Sequence, residues 1–352
     1  MFSGVKNVSI TRFIFSLFLL LAAAQLQAAD GKRLYDQNCA ACHGLDGNGG
    51  VGVPLALPDF QYSASDDFLR KIIRYGRPGR VMPAFKRFSD EEVDAIVRYI
   101  RHWAPGKPFT YSSKRISGDV KHGKQLYAQH CASCHGANGE GGKGTGVTFS
   151  RPRDLPVIPP ALNNEGFLKA APDEMIKATL MNGREGTPMV SFLKQGLSEQ
   201  DINDIVAYVR SFEKHPLPVT LKVPKERLIV MESMQSLEDT VEAIKRAVIG
   251  KNYRLIRVQY LNQGLVEKGQ ENKKQVIVYF CNFSFLNRAL AVDPRVGLFL
   301  PCRVTAYEKD GKVFVSSTNP LYMSTIFNNN ELHRLCQEMY QEYMDIIEEA
   351  TL

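Results

Sequence analysis

Apolar and polar positions divide the chain into parts with different periodicity. Two segments, 93–100 and 202–209, carry apolar residues at the i, i+3, i+4 and i+7 positions of one helix face. Each follows a serine and acidic residues, at Ser89 and Ser198, in the pattern that caps a helix N-terminus. From about residue 221 the pattern changes to short runs typical of strands. The pattern therefore predicts two helical units followed by one α+β unit.

The α+β unit begins with a strand, followed by a helix that Ser236 caps, and it closes with a long helix. Asp310 and Gly311 form the two-residue signal of a type I′ hairpin between the last two strands. The predicted strands are residues 228–231, 253–260, 275–283, 303–308 and 312–317.

The N-terminus has the features of a targeting segment. Lys6 and Arg12 precede an apolar run at 13–24, and small residues follow at 28–29. A positive start, a short apolar core and small residues near a cleavage site are typical of a secretory signal peptide. The run is shorter than the ~20 residues that a membrane span needs. We therefore expect residues 1–29 to be a signal peptide and the protein to be exported to the periplasm, with an uncleaved anchor as the alternative.

An internal repeat organises the helical part. Gly31–Gly44 recurs as Gly123–Gly136, and Gly76–Met82 recurs as Gly183–Met189. Proline-rich linkers follow both copies. The resulting division has a signal peptide, two helical domains of one kind and an α+β domain, at residues 1–29, 30–106, 117–214 and 225–352.

Each repeat contains one Cys-x-x-Cys-His motif, the attachment signature of c-type haem. A redox dithiol would be expected in a βαβ unit, but both motifs lie in helical, glycine-rich surroundings. A zinc site would need further ligands, and neither repeat has another cysteine. We therefore expect two covalently bound haem c groups. The candidate attachment residues and proximal iron ligands are Cys39, Cys42 and His43 in the first repeat and Cys131, Cys134 and His135 in the second.

Methionines are the best candidates for the distal iron ligands. Met82 and Met189 occupy the same position in the Gly-Arg-x-Gly-x-x-Met block that the repeats share. Met175 and Met181 fall outside this spacing, and His102 follows the closing helix, where we expect it to be exposed. A methionine is often only core filler, but one in a proline-flanked loop is poorly placed for that role. His/Met ligation fills both axial positions, which favours electron transfer over catalysis.

Residues 30–214 resemble two tandem class I cytochrome c domains, because both copies carry the haem motif, a methionine loop and a closing helix. The resemblance implies two all-α domains in which a carbonyl after the haem motif, at Pro54 or Pro160, accepts a hydrogen bond from the proximal histidine. The second copy is longer than the first between its haem motif and its methionine, largely through the proline-rich stretch at 151–160. The resemblance therefore does not specify the packing over the second haem, although it does imply the attachment.

Residues 225–350 resemble the domain of unknown function 302 family (DUF302). The resemblance rests on four motifs, which imply a compact α+β fold but no activity. They are Cys281–Asn282, Asp293–Gly297, Leu300–Val304 and the Asp310–Gly311 hairpin.

The third domain carries three cysteines. Cys281 ends one predicted strand and Cys302 begins the next, so we expect them on adjacent antiparallel strands. A disulfide, two buried thiols and soft metal ligands are all compatible with this placement. Cys336 lies among apolar neighbours of the last helix and is expected to be buried.

The net charge of +7 is not concentrated into a basic stripe with interleaved aromatic residues, so no nucleic-acid partner is expected. The sequence favours a periplasmic dihaem electron carrier whose partners are redox proteins or membrane oxidase or reductase complexes. The third domain would then dock a partner or act as a sensor. Two alternatives remain: a dihaem oxidoreductase, for example of a sulfur compound, and a cytochrome subunit of a larger dehydrogenase or oxidase complex.

Overall fold

The structure is a computed structural model, and it describes residues 29–103, 106–144 and 158–352. The predicted signal peptide, apart from Ala29, lies outside the described residues, as do residues 151–157 of the proline-rich insertion. Within these three ranges, no helix combines the length and apolar character needed to cross a bilayer. A helical N-terminal part is followed by an α+β part, as the periodicity predicts.

In the first repeat, serine side chains fix where two helices begin. Ser65 and Ser89 each accept a hydrogen bond from a backbone N–H in the first helical turn. The Glu92 side chain in turn accepts a hydrogen bond from the Ser89 backbone N–H, which completes a capping box. The helices are α1 (Gly31–Asn38), α2 (Ala40–His43), α3 (Pro58–Ser63), α4 (Asp66–Tyr75) and α5 (Asp90–Arg101).

The second repeat follows the same plan. Asn164 caps one helix, and Ser198 forms a capping box with Asp201 at the start of the last one. A short 3₁₀ turn, Phe212–Lys214, ends the repeat. The helices are α6 (Val120–His130), α7 (Ala132–His135), α8 (Glu165–Ala170), α9 (Asp173–Asn182) and α10 (Glu199–Ser211).

Two glycines let the first and last helices of each repeat cross at very short range. A Cβ atom at Gly31 would lie 2.1 Å from the carbonyl oxygen of Ala95, and one at Gly123 would lie 1.9 Å from that of Asp204. No other residue type fits this close approach. The buried side chains of both repeats, from Leu34 to Phe212, form one continuous apolar cluster. The two predicted helical units therefore share a core.

The third part is a five-stranded antiparallel sheet in the order β1-β5-β4-β3-β2. Two helices, α11 and α14, pack together and share one apolar cluster with the sheet. The elements are β1 (Leu228–Ser233), α11 (Leu237–Gly250), β2 (Arg254–Tyr260), β3 (Gln275–Cys281), α12 (Phe283–Val292), β4 (Cys302–Lys309), β5 (Lys312–Thr318), α13 (Pro320–Ser324) and α14 (Asn330–Thr351), with 3₁₀ turns at Pro294–Phe299 and Thr325–Phe327.

The predicted strands agree with the structure to within two residues at each end. The first strand runs two residues beyond the prediction, to Ser233, and the third ends two residues early, at Cys281. Asn282 explains the early end: its side chain accepts a hydrogen bond from Phe285 N–H and starts α12. At the predicted hairpin, Asp310 and Gly311 have φ values of 52° and 76°. A type I′ turn requires positive φ at both positions, so this prediction is confirmed.

The packing of α6 on α10 predicts a pH-dependent stability. The side chain of His122 bonds to Asp204 at 2.9 Å, and this hydrogen bond raises the pKa of His122. The stabilisation of the folded state by protonated His122 should be complete below the unfolded-state pKa of about 6.5. It should disappear as the pH rises through the higher folded-state pKa. Denaturant unfolding at pH 5.5 and pH 8.5 should show that His122→Gln destabilises the protein mainly at the lower pH.

The exposed His215 provides the control, since His215→Gln should leave the pH dependence of unfolding unchanged. An equal loss of stability for His122→Gln at both pH values would contradict the electrostatic explanation and leave only a packing role.

Candidate functional site

The first haem motif is placed by the break between α1 and α2. Cys39 ends α1, and α2 carries Cys42 and His43, so all three side chains lie on about one turn of chain. The hydroxyl of Tyr35 donates to the Gly44 carbonyl at 2.7 Å and fixes the exit of this turn. The His43 ring donates from Nδ1 to the Val53 carbonyl at 2.8 Å. This bond leaves Nε2 as the ring nitrogen that can bind iron.

The second motif repeats this geometry. Cys131 ends α6, and Cys134 and His135 lie on α7. The Tyr127 hydroxyl donates to the Gly136 carbonyl at 3.0 Å, which matches the bond in the first repeat.

Two carbonyls that orient the histidines can be compared with the prediction. His135 donates from Nδ1 to the Pro160 carbonyl at 2.9 Å, so the expectation for Pro160 is confirmed. In the first repeat the expectation for Pro54 is wrong, because the acceptor is the carbonyl of Val53. The close packing of Gly52 on the ring explains the shift: a Cβ there would lie 2.7 Å from His43 Cε1. The chain therefore passes the ring one residue earlier.

Burial keeps these side chains uncharged. Desolvation lowers the pKa of His43 and of His135, so both rings are neutral at physiological pH. Desolvation also raises the pKa of the Cys39 and Cys131 thiols to about 12. Neutral imidazole is the form that binds a metal ion. Unionised thiols with such a high pKa are poor redox nucleophiles, which weakens the dithiol alternative.

The two predicted methionines lie at corresponding positions of corresponding loops. Arg77 N–H donates to the Met82 carbonyl at 2.8 Å, and Arg184 N–H donates to the Met189 carbonyl at 2.7 Å. Both side chains pack, partly buried, against the shared apolar cluster. His102, the rival ligand, is exposed as expected.

One cavity of about 440 Å³ connects all of these groups. Its walls are predominantly apolar, from Leu55, Phe68 and Ile96 on one side to Phe167 and Ile205 on the other. The structure brings together in this cavity every haem-site residue that the sequence predicts, namely Cys39, Cys42, His43, Met82, Cys131, Cys134, His135 and Met189. The two predicted sites therefore open into each other.

Three partly buried arginines also line the cavity: Arg77, Arg80 and Arg184. Burial lowers the pKa of all three, and repulsion from Arg80 helps to lower that of Arg77 to about 10. Carboxylates attract Arg80 and Arg184 from a distance, but no close ion pair to any of the three is seen among the described residues. Partly buried cations of this kind favour an anionic occupant. Haem fits, because its porphyrin is apolar and its propionate groups are negatively charged.

The arginines also join the two repeats reciprocally. Arg77 lies over the Phe167 ring of the second repeat, 5.1 Å from its centroid, and donates to the Ala161 carbonyl at 3.1 Å. Arg184 lies over the Phe60 ring of the first repeat at 5.2 Å. Sequence reasoning missed both arginines, although the Gly-Arg pair recurs in the two methionine loops and could have indicated them.

The third domain reaches the first site, which nothing in the sequence indicates. Arg295 donates from Nη1 to Cys42 Sγ at 3.0 Å, and its other nitrogens bind the fully buried carboxylate of Asp293. Asn328 contacts the loop that carries Met82. These residues are distant in sequence from the haem motif, so no local pattern links them to it.

The cysteine pair of the third domain lies where the sequence predicts it. Cys302 in β4 pairs with Phe280 in β3, next to Cys281, so the two cysteines are on adjacent antiparallel strands. No disulfide joins them in the structure, and Cys281 is buried whereas Cys302 is partly exposed. The hydrogen bond from Cys281, and one from Tyr343, lower the pKa of Cys302 to about 7. Cys336 is only partly buried, although burial does raise the pKa of its thiol to about 12.

Three family models match the chain. Residues 26–100 match the model for cytochrome c oxidase, cbb3-type, subunit III; residues 120–213 match the model for cytochrome c; residues 229–350 match the DUF302 model. Among solved structures, a DUF302 protein from Bacillus stearothermophilus is 18% identical, with a TM-score of 0.33, and the match covers 35% of this chain and 98% of that one.

Curated relatives match the helical part. The cbb3-type cytochrome c oxidase subunit CcoP of Azospirillum sp. (strain B510) is 27% identical over 52% of this chain and 61% of the relative. The cytochrome c subunit of the cytochrome bc1 complex of Corynebacterium efficiens is 25% identical over 55% of this chain and 66% of the relative. The chain thus spans less than two thirds of the length of these relatives.

The loop geometry predicts how the iron sites respond to losing a methionine. Met82→Ala and Met189→Ala should each remove about half of the absorption band characteristic of methionine-to-ferric-haem coordination, because each methionine loop carries one thioether. Visible spectra of the purified, oxidised protein would measure this.

Met181→Ala is the matched control, since this side chain packs against the same apolar cluster outside the shared methionine spacing. It should leave the band intact. An unchanged band in Met189→Ala would mean that the second site uses another ligand.

Proposed function

We propose that this chain, which consists of two cytochrome c-type domains followed by a DUF302 domain, is an exported dihaem cytochrome that transfers electrons within a redox complex. The observation that carries the proposal is the single cavity that both haem motifs and both methionines line. A covalently bound haem c follows from the cytochrome c-type domains, and the presence of two such domains supports one haem for each.

The chain's own residues would hold and tune these groups. Cys39 and Cys42 in one repeat, and Cys131 and Cys134 in the other, would form the thioether bonds. The proximal imidazoles are fixed in orientation by their hydrogen bonds to backbone carbonyls, which restricts rotation of the ring. Haem iron supplies one-electron chemistry, because it cycles between the ferric and ferrous states.

The three cavity arginines would neutralise the propionate groups. Guanidinium groups bind carboxylates in bidentate geometry, and such pairs are strong where water is excluded. In this position Arg77 and Arg184 would connect each site to the opposite repeat, since each also packs on a phenylalanine there. The two sites would therefore respond to each other's charge.

Electron transfer is favoured over catalysis at the haems. Methionines at equivalent loop positions would fill the distal coordination position in both sites, leaving no open position for O₂ or peroxide chemistry. Apolar walls around both sites favour a reaction that needs no water. A dihaem oxidoreductase, for example of a sulfur compound, is the alternative, with the chemistry at a haem or in the third domain.

Two features support membership of a larger complex. The relatives named above are described as subunits of oxidase and bc1 complexes. The third domain packs on the first cytochrome domain through Arg295 and Asn328. It also packs on the second near Gly144, where a Cβ would lie 2.6 Å from the Ala291 carbonyl oxygen. Its remaining exposed surface would dock a partner. A periplasmic location is consistent with the N-terminal signal pattern and with covalent haem attachment.

Covalent attachment at two sites is directly measurable. Mass spectrometry of protein exported by a host that attaches haem should give the polypeptide mass plus two haems. The double variant Cys39→Ala/Cys42→Ala should lose one haem and keep the other, because the second motif is complete in itself.

The matched control is Cys281→Ser/Cys302→Ser, which changes two cysteines in the third domain and should keep both haems. An unmodified mass for the wild-type protein would overturn the proposal, and loss of a haem in the control would show that the motif cysteines are not the attachment points.

A further inference from the structure

The two methionine loops differ at three positions, and one of these is occupied by Arg80 in the first repeat and by Thr187 in the second. In both, the backbone N–H of this residue closes the turn, onto the Arg77 carbonyl at 2.9 Å and onto the Arg184 carbonyl at 3.1 Å. Thr187 adds its hydroxyl, which donates to the Arg184 carbonyl at 2.8 Å. The Arg80 guanidinium donates instead to the Gly142 carbonyl. The first loop therefore has no side chain of its own that donates to the Arg77 carbonyl, which corresponds to the Arg184 carbonyl of the second loop.

Asn328, which follows the 3₁₀ turn Thr325–Phe327 of the third domain, supplies that donor. Its side-chain amide donates to the Arg77 carbonyl at 3.1 Å and to the Met82 carbonyl at 2.9 Å, and it also contacts the Arg80 carbonyl. Three carbonyls on the inner side of the loop thus converge on one amide group. The amide takes the place of the Thr187 hydroxyl and additionally binds the methionine's own peptide unit.

The backbone of the third domain is shaped for this contact. Asn328 has φ 47° and ψ 39°, in the left-handed region that asparagine tolerates better than most residues. Two residues later, Asn330 N–H donates to the Gly79 carbonyl at 3.0 Å. A Cβ atom at Gly79 would lie 2.8 Å from Asn330 Nδ2. The loop and the third domain therefore fit together along Gly79–Met82.

We infer that Asn328 is a positioning residue that holds the Met82 loop, and through it the Met82 thioether, over the first haem. The inference rests on the proposed function, since it concerns the distal ligand of a haem. It makes the third domain part of the first haem site. The second loop, with Thr187, holds Met189 by itself.

The test removes the amide without disturbing the backbone. Glycine adopts the left-handed conformation freely, so Asn328→Gly deletes the donor and keeps the turn. Imidazole titration of the full-length, haem-loaded, oxidised protein would follow the methionine-to-ferric-haem band. We expect imidazole to displace one of the two methionines at a concentration about tenfold lower than in the wild type, since a hydrogen bond of ordinary strength is lost at the ligand's peptide. The reduction potential of the same haem should fall, and that of the second should not change.

Two further variants separate positioning from general destabilisation. Asn252→Gly changes the other asparagine of the third domain with positive φ, in an exposed turn, and should leave both the titration and the potentials unchanged. Adding Arg80→Thr to Asn328→Gly gives the first loop the side-chain donor of the second. This double variant should recover most of the lost resistance to imidazole.

The outcomes distinguish this inference from the proposed function. If Met82→Ala removes half of the band but Asn328→Gly behaves as the wild type, Asn328 does not position the ligand and only the inference fails. If Asn328→Gly weakens both haems equally, the residue acts through general stability and the inference also fails. The same follows if Arg80→Thr alone leaves the imidazole titration unchanged and yet rescues nothing in the double variant. If Met82→Ala leaves the band unchanged, the ligand assignment within the proposed function is wrong.

Discussion

The contact of each partly buried arginine with the opposite repeat is the interaction on which the rest of this structure depends. Arg77 and Arg184 each lie over a phenylalanine of the other repeat and line the cavity that contains both haem motifs. Unpaired guanidinium groups in such a place are costly unless an anion joins them. The arginines therefore link the two repeats across a cavity in which negatively charged groups would be favoured.

Local features of the site could be predicted because local sequence determines them. The haem motifs, the methionine spacing and the serine caps at Ser89 and Ser198 are patterns over a few residues, and hydrogen bonds within those residues produce the structure. The strands were placed to within two residues for the same reason. Even the adjacency of Cys281 and Cys302 followed from the order of two strands and the short helix between them.

Features that depend on contacts distant in sequence could not be predicted. The acceptor for His43 is Val53 and not Pro54, because the close packing of Gly52 on the ring decides where the chain passes. The shared core of the two repeats was not expected, since each repeat alone has the pattern of a complete helical unit. Asn328 lies in a turn whose sequence has no haem-related signal, and only the folded chain brings its amide to the Met82 loop. A local sequence pattern indicates which residues can bind a haem, but not which distant part of the chain packs against them.

The asymmetry between the repeats has a consequence for the third domain. In the second repeat the methionine loop is closed by its own Thr187, so its geometry is set within the cytochrome fold. In the first repeat the corresponding arginine is used to reach Gly142 of the other repeat, and the loop obtains its side-chain donor from Asn328. Arg80 therefore bonds to the other repeat, whereas Thr187 at the same position bonds within its own loop. Asn328 of the third domain provides the side-chain hydrogen bond that the first loop lacks. A movement of the third domain that shifted Asn328 would act on the Met82 loop, whereas the Met189 loop is held by its own Thr187. A partner bound to that domain therefore has a direct structural route to the Met82 loop.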